Sequence, residues 1–187
     1  MCHFITATLP AEADVERVRQ IAKSHCLAWV PADNPKVAAQ LRAGELYFMT
    51  THGHCQCGTP LGELRRHEKP EEPGYTRQLS KLRQKGWGKA KIERWLEQKH
   101  RNKEKRQRVV EHVKADRAAQ VDRWISFFST VIEVGASSNV GLLLHFYRSG
   151  PKTEDVKIAR RDRKSVDTLL ADDLLAMEED VLYEFTR

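Results

Sequence analysis

ELYFMTTHGHCQCG (Glu45–Gly58) decides how the N-terminal third of the chain is read. Its first half, Glu45 to Thr51, is a short apolar run ending in two β-branched threonines, the signature of a strand. Its second half puts two histidines and two cysteines within six residues, His52 to Cys57. A strand that runs straight into such a cluster delivers metal-ligating or nucleophilic side chains to one end of a sheet. The chain also opens with Cys2 and His3, so a second pair of the same residue types needs a place in the same fold.

Working outward, HFITATL (residues 3–9) is rich in β-branched and aromatic residues and stops at Pro10, which predicts a first strand. In EADVERVRQIAKSH, Val15, Val18, Ile21 and Ala22 share one helical face. LAWVP (Leu27 to Pro31) is a second strand candidate. NPKVAAQLRAG predicts a short helix with Asn34 as N-cap, Pro35 at the first helical position and Gly44 as terminator. Residues 1–62 therefore read as a small β-α-β-α-β unit. Residues 63–74, charged and carrying two prolines and a glycine, read as a linker.

Residues 75–134 read as a helical basic arm. TRQLSKLRQK predicts one helix, and Gly86 and Gly88 bracket Trp87 in a tight turn. A second, long helix follows. It carries an apolar patch at Ile92, Trp95 and Leu96, then KHRNKEKRQR with no apolar residue. A stripe resumes at Val110, Val113, Val121, Trp124, Phe128 and Val131. Trp124, Phe127 and Phe128 bury either within the chain or across a dimer. After the breaker GASSN, residues 135–187 predict a β-hairpin over 140–161, with SGPKTED as its turn, and a closing helix begun by Ser165. The class that results is α+β.

Zinc in structural sites takes four Cys or His ligands in a tetrahedron. Four cysteines in 187 residues do not make a secreted disulfide scaffold, and a C-x-C pair is poorly placed for a disulfide. Cys55 and Cys57 supply two ligands, with Gly53 and Gly58 allowing a tight bend. Cys2 supplies a third, provided that residues 3–9 and 45–51 pair antiparallel, so that the start of one strand meets the end of the other. The fourth ligand is a histidine, with His54 ahead of His52 and His3. His3 points to the opposite strand face from Cys2. Cys26 reads as a small buried hydrophobe. The competing reading is a loop with two free thiols.

Chemistry beyond metal holding has thin support. No H-E-x-x-H or H-x-E…C-x-x-C pattern occurs, and Glu45 and Glu63 flank the cluster only distantly. GASSNVG lacks the lysine of a P-loop, and no G-x-G-x-x-G occurs. Loss of Met1 would free the Cys2 thiol beside an α-amine, a nucleophile–base pair.

The net charge is +6, and it is uneven. Leu64 to Arg123 holds 19 Lys and Arg against 9 Asp and Glu, so this segment carries +10 and the remainder −4. Lys99, Arg101, Lys103, Lys105, Arg106 and Arg108 crowd the long helix. Such a stripe neutralises phosphates, with each contact adding salt-dependent affinity, and Trp87 can stack on a base. Interspersed glutamates also fit a solvated face with ordinary i,i+4 pairs.

The expected function is a non-enzymatic binding protein with a structural zinc and a basic arm on nucleic acid. The alternatives are a protein-neutralising partner of immunity or antitoxin type, which would take an acidic protein, and a metal-dependent hydrolase. The longest apolar runs fall far short of the ~20 residues that span a bilayer, and the N-terminus lacks the pattern of a signal peptide. Membrane partners are therefore not expected, and the expected location is the cytoplasm.

Overall fold

Cys2–Leu9 form β1, the strand around which the sheet is assembled. The computed structural model describes residues 2–52, 54–62 and 76–187, and within its helices not the side chains of residues 76, 77, 103 and 105–114. The elements are β1, α1 (Val15–Ser24), β2 (Val30–Pro31), α2 (Pro35–Ala38), β3 (Leu46–Met49), α3 (Thr76–Gln84), α4 (Lys89–Glu133), β4 (Asn139–Tyr147), β5 (Arg160–Ser165), α5 (Ala171–Leu175) and β6 (Val181–Thr186). The class is α+β, as the sequence predicts. The linker predicted over 63–74 lies outside the described residues.

The six strands lie in the order β2-β3-β1-β4-β6-β5. β1 pairs antiparallel with β3, Thr6 opposite Met49 through Leu9 opposite Leu46, which is the pairing the metal argument requires. On its other side β1 pairs antiparallel with β4, from Cys2 opposite Tyr147 to Thr8 opposite Gly141. Strands from the two ends of the chain thus share one sheet. Residues 1–64 and 117–187 form one compact unit, and residues 65–116 form a second.

Both faces of the sheet are covered. Ile5, Ala7 and Leu9 face Val18 and Ala22 of α1 and the apolar stripe Val121, Trp124, Phe127, Phe128 and Val131 of α4. Phe127 and Phe128 are fully buried, and Phe128 stacks on Phe185 at 4.3 Å and 7°. The aromatic stripe is therefore spent inside the chain. Burial of each such ring contributes about 2–3 kcal/mol. The opposite face packs Phe4, Tyr47, Leu143, Tyr147 and Leu182 against Val37 of α2 and Val156. α2 starts as its sequence indicates, with the Asn34 side chain accepting from the N–H groups of Lys36 and Val37.

The C-terminal part carries strands and a helix, but not as the local pattern suggests. β4 and β5 do not pair with each other. β6 lies between them, antiparallel to β4 and parallel to β5. The segment around SGPKTED is a cover and not a hairpin turn. Glu154 accepts from the N–H groups of Arg148 and Ser149 at 2.7 Å each, and the Asn34 amide donates to the carbonyls of Pro151 and Glu154. The predicted closing helix shrinks to α5. Asp180, at φ 63°, then turns the chain into β6. Val181, Tyr183 and Phe185 belong to one core and Leu182 to the other, so burial on both sheet faces wins over helical periodicity. Cys26 also departs from expectation. It is exposed, at φ 57°, as the residue that ends α1 beyond His25.

In the second unit α3 closes on Gly86 at φ 74°, where the Gly86 N–H donates to Arg83 and the Trp87 N–H to Leu82. Ile92 is buried. Lys91 sits over the Trp87 ring at 4.2 Å, and Lys99 over Trp95 at 5.5 Å. Among the described residues no helix is long and apolar enough to cross a membrane.

One charged network ties the α2–β3 connection to the far edge of the sheet. Glu184 on β6 is 3% exposed and accepts from Arg161 at 2.7 Å and Arg42 at 2.8 Å, with Arg163 at 3.4 Å. Arg161 also forks onto Glu45 at 2.7 and 2.8 Å. Burial by itself raises both carboxyls. The hydrogen bonds from Arg161 and the neighbouring guanidinium charges outweigh it and hold both below the ordinary range. Their stabilising contribution is therefore fully present above about pH 4.3, the unfolded glutamate value, and is lost as pH falls through the lower folded values. Thermal melts should show wild type losing stability below pH 4. Glu184→Ala should be less stable by about 2–3 kcal/mol at pH 7 and should show a shallower acid dependence.

Candidate metal centre

β1 is longer than its partner β3, and this mismatch builds the site. β3 pairs with β1 only from Thr6 to Leu9, so the backbone groups of His3 and Ile5 on that edge need other partners. Gln56 provides them. Its N–H donates to the His3 carbonyl at 2.9 Å, and its side-chain oxygen accepts from the Ile5 N–H. Its amide nitrogen donates to Thr50 Oγ1 at 3.0 Å, and that hydroxyl donates to the Ile5 carbonyl at 2.7 Å. Gln56 is 5% exposed. One residue thus stands in for the missing continuation of β3.

Pinning Gln56 to β1 carries its two neighbours along. Cys55 and Cys57 come beside Cys2, and the three sulfur atoms lie within 4.8 Å of one another. All three are thiols and none is in a disulfide. Three soft donors this close can hold a metal ion. The His3 N–H donates to Cys57 Sγ at 3.1 Å. A hydrogen bond from the Cys57 N–H, with further ones from the Cys2 and Cys57 side chains, lowers the Cys55 thiol. The hydrogen bond to Cys55, with burial and the neighbouring sulfurs, raises Cys2. Backbone N–H groups aimed at sulfur favour the thiolate that a metal needs.

The remaining candidates fall elsewhere. His54 is exposed and is not in the group of ligand atoms within 4.8 Å, and His52 is exposed as well. His3 faces away from the sulfurs, with its ring against Phe146 and Nε2 2.7 Å from Glu179 Oε1. Gly53 lies outside the described residues, and Gly58 takes no left-handed backbone. The glycine that the loop requires is Gly62. A Cβ there would stand 2.1 Å from the Gln56 carbonyl oxygen. That carbonyl also accepts from the Thr59 N–H and hydroxyl, at 2.9 Å each, which closes the loop on itself. Neither Gln56 nor Gly62 has a signal in the sequence beyond standing next to ligand-type residues.

Of the nucleic-acid candidates, Lys99 and Arg101 are described. Lys99 lies over Trp95, and Arg101 pairs with Glu97 at 3.7 Å, two exposed side chains one helical turn apart. Lys103, Lys105, Arg106 and Arg108 lie on α4, and their side chains are outside those described. The chain matches no protein-family model, no curated protein and no solved structure.

Gln56→Ala should orphan the buried Ile5 N–H and free the cysteine pair from β1. Chemical denaturation should report a loss of about 2 kcal/mol, with weaker metal retention. Gly62→Ala should do comparable damage of about 1–3 kcal/mol through the backbone clash, whereas Gly58→Ala should be nearly silent.

Proposed function

We propose that this chain is a non-enzymatic binding protein. Its Cys2, Cys55 and Cys57 hold a structural zinc, and the basic segment of α4 contacts nucleic acid. The observation that carries the zinc is the convergence of three thiols from two distant stretches of sequence, with backbone N–H groups donating to sulfur. The donor set is all sulfur, which selects zinc or another thiophilic metal over calcium or magnesium. His54, directly before Cys55, is the proposed fourth ligand; its imidazole lies outside the group of three sulfurs and would have to turn toward the ion to bind. The ion's role would be to fasten the loop after β3 to the first residue of β1.

The arm's assignment rests on charge and form. The segment from Leu64 to Arg123 carries +10, and Lys99 to Arg108 lies on a helix of 45 residues. A helical sequence so rich in lysine and arginine suits a phosphate backbone. The Trp87 ring beside Lys91 adds a stacking surface of the kind that bases use.

Two measurements test the two halves separately. Metal analysis of protein purified without chelator should find about one zinc per chain. Cys55→Ser/Cys57→Ser should lose it, and the thermal midpoint should fall by about 10 °C, at 2–4 °C per kcal/mol for a chain of this size. In cobalt-substituted protein, His54→Ala should alter the visible spectrum. Metal-free wild type would remove the zinc reading. For the arm, a 20-base-pair duplex at low salt should bind with an affinity that drops steeply as salt rises. Reversing Lys103, Lys105, Arg106 and Arg108 to glutamate should weaken it about 100-fold or more. An unaffected variant would remove the nucleic-acid reading and leave the zinc standing.

A further inference from the structure

A cavity of about 220 Å³ lies in the first unit, beside the cysteine cluster and sharing Cys55 with it. Three pieces of chain line it: the turn after α1, the residues Thr50–His52 and His54–Leu61 after β3, and the Gln120–Trp124 turn of α4. Leu27, Leu61, Val121 and Trp124 give it apolar walls. Its polar lining is unusual in two respects.

First, one buried polar group there has no protein partner. The Thr51 side chain is among the buried polar groups, at 8% exposure, and its hydroxyl has no hydrogen bond. A buried hydroxyl left unpaired costs stability, so it calls for a partner that the folded chain does not provide. Second, the lining holds the Arg123 guanidinium and two imidazoles, those of His52 and His54, but no aspartate or glutamate. Arg123 is exposed and has no ion pair among the described residues, so its guanidinium is open to an anionic ligand. One permanent cation without a counter-charge, beside an orphan hydroxyl and apolar walls, defines a complementary ligand.

We propose that this cavity binds a small organic monoanion, a carboxylate carried on a compact apolar body. The guanidinium fork matches a carboxylate in two parallel hydrogen bonds. The Thr51 hydroxyl supplies one more donor, and the body lies against Trp124, Leu27 and Leu61. A single guanidinium balances a single negative charge, which favours a carboxylate over a phosphate dianion. The volume is below the ~300–1,000 Å³ of sites for drug-sized ligands, so the ligand is of metabolite size. This assignment needs neither the zinc nor the nucleic acid.

Three matched probes test it on the full chain by ¹⁵N NMR titration of the Thr50–Gln56 amides: benzoate, neutral benzamide and phenylphosphonate. Benzoate should give saturable shifts, at least about tenfold tighter than either of the others. Arg123→Gln should weaken benzoate about tenfold or more, and Arg123→Lys less so. Thr51→Val provides an independent check, because removing an unpaired buried hydroxyl should leave the fold as stable or more stable while weakening benzoate. No saturable shift, equal binding of benzamide, tighter binding of phenylphosphonate, or an Arg123→Gln variant that binds unchanged would each overturn the proposal.

Discussion

Backbone groups on the exposed edge of a strand must be satisfied, and here that requirement falls on residues 3 to 5 of β1. The neighbouring strand ends three residues too early to serve them. Gln56 closes the gap with one backbone and two side-chain hydrogen bonds, and the consequence is chemical. A residue locked onto a strand edge fixes the direction of the residues on either side of it. Both of those are cysteines, and the residue that begins β1 is a third. The cluster therefore follows from hydrogen-bond accounting in the sheet.

The same economy governs the rest of the first unit. β1 sits inside the sheet with strands on both sides, so strands from both ends of the chain share its ladder. One face takes α1 and the end of α4, and the other takes α2 and the segment around Val156. Two polar side chains of the interior come with several partners each. Glu184 is surrounded by three arginines, and Asn34 both caps α2 and holds the segment that covers the second face. The buried Thr51 hydroxyl differs in having no protein partner, and it lines the same cavity as the exposed Arg123.

The local elements were legible in the sequence wherever a short-range rule decides them. Asn34-Pro35 capped a helix, Gly86 ended one, and the spacing of Val121, Trp124, Phe128 and Val131 marked a buried face. The C-terminal third was misleading for a physical reason. Leu174 through Phe185 satisfies helical spacing as well as strand alternation, and the choice is made by a slot between β4 and β5 that no local pattern reveals. The same holds for Cys26, whose exposure follows from how α1 terminates.

For the site, the sequence by itself determined which residues have metal-binding chemistry, and that Cys2 can meet Cys55 and Cys57 only if two strands run antiparallel. The tertiary structure decided that they do, and it set His3 on the opposite face against Glu179. It also decided what the sequence had no means to express: that Gln56, the spacer of C-x-C, is the residue that holds the cluster in place. Residue type and spacing encode chemistry over a few positions. The partners of a strand edge, the pairing of a buried charge and the walls of a cavity depend on chain segments that meet only when the whole unit folds.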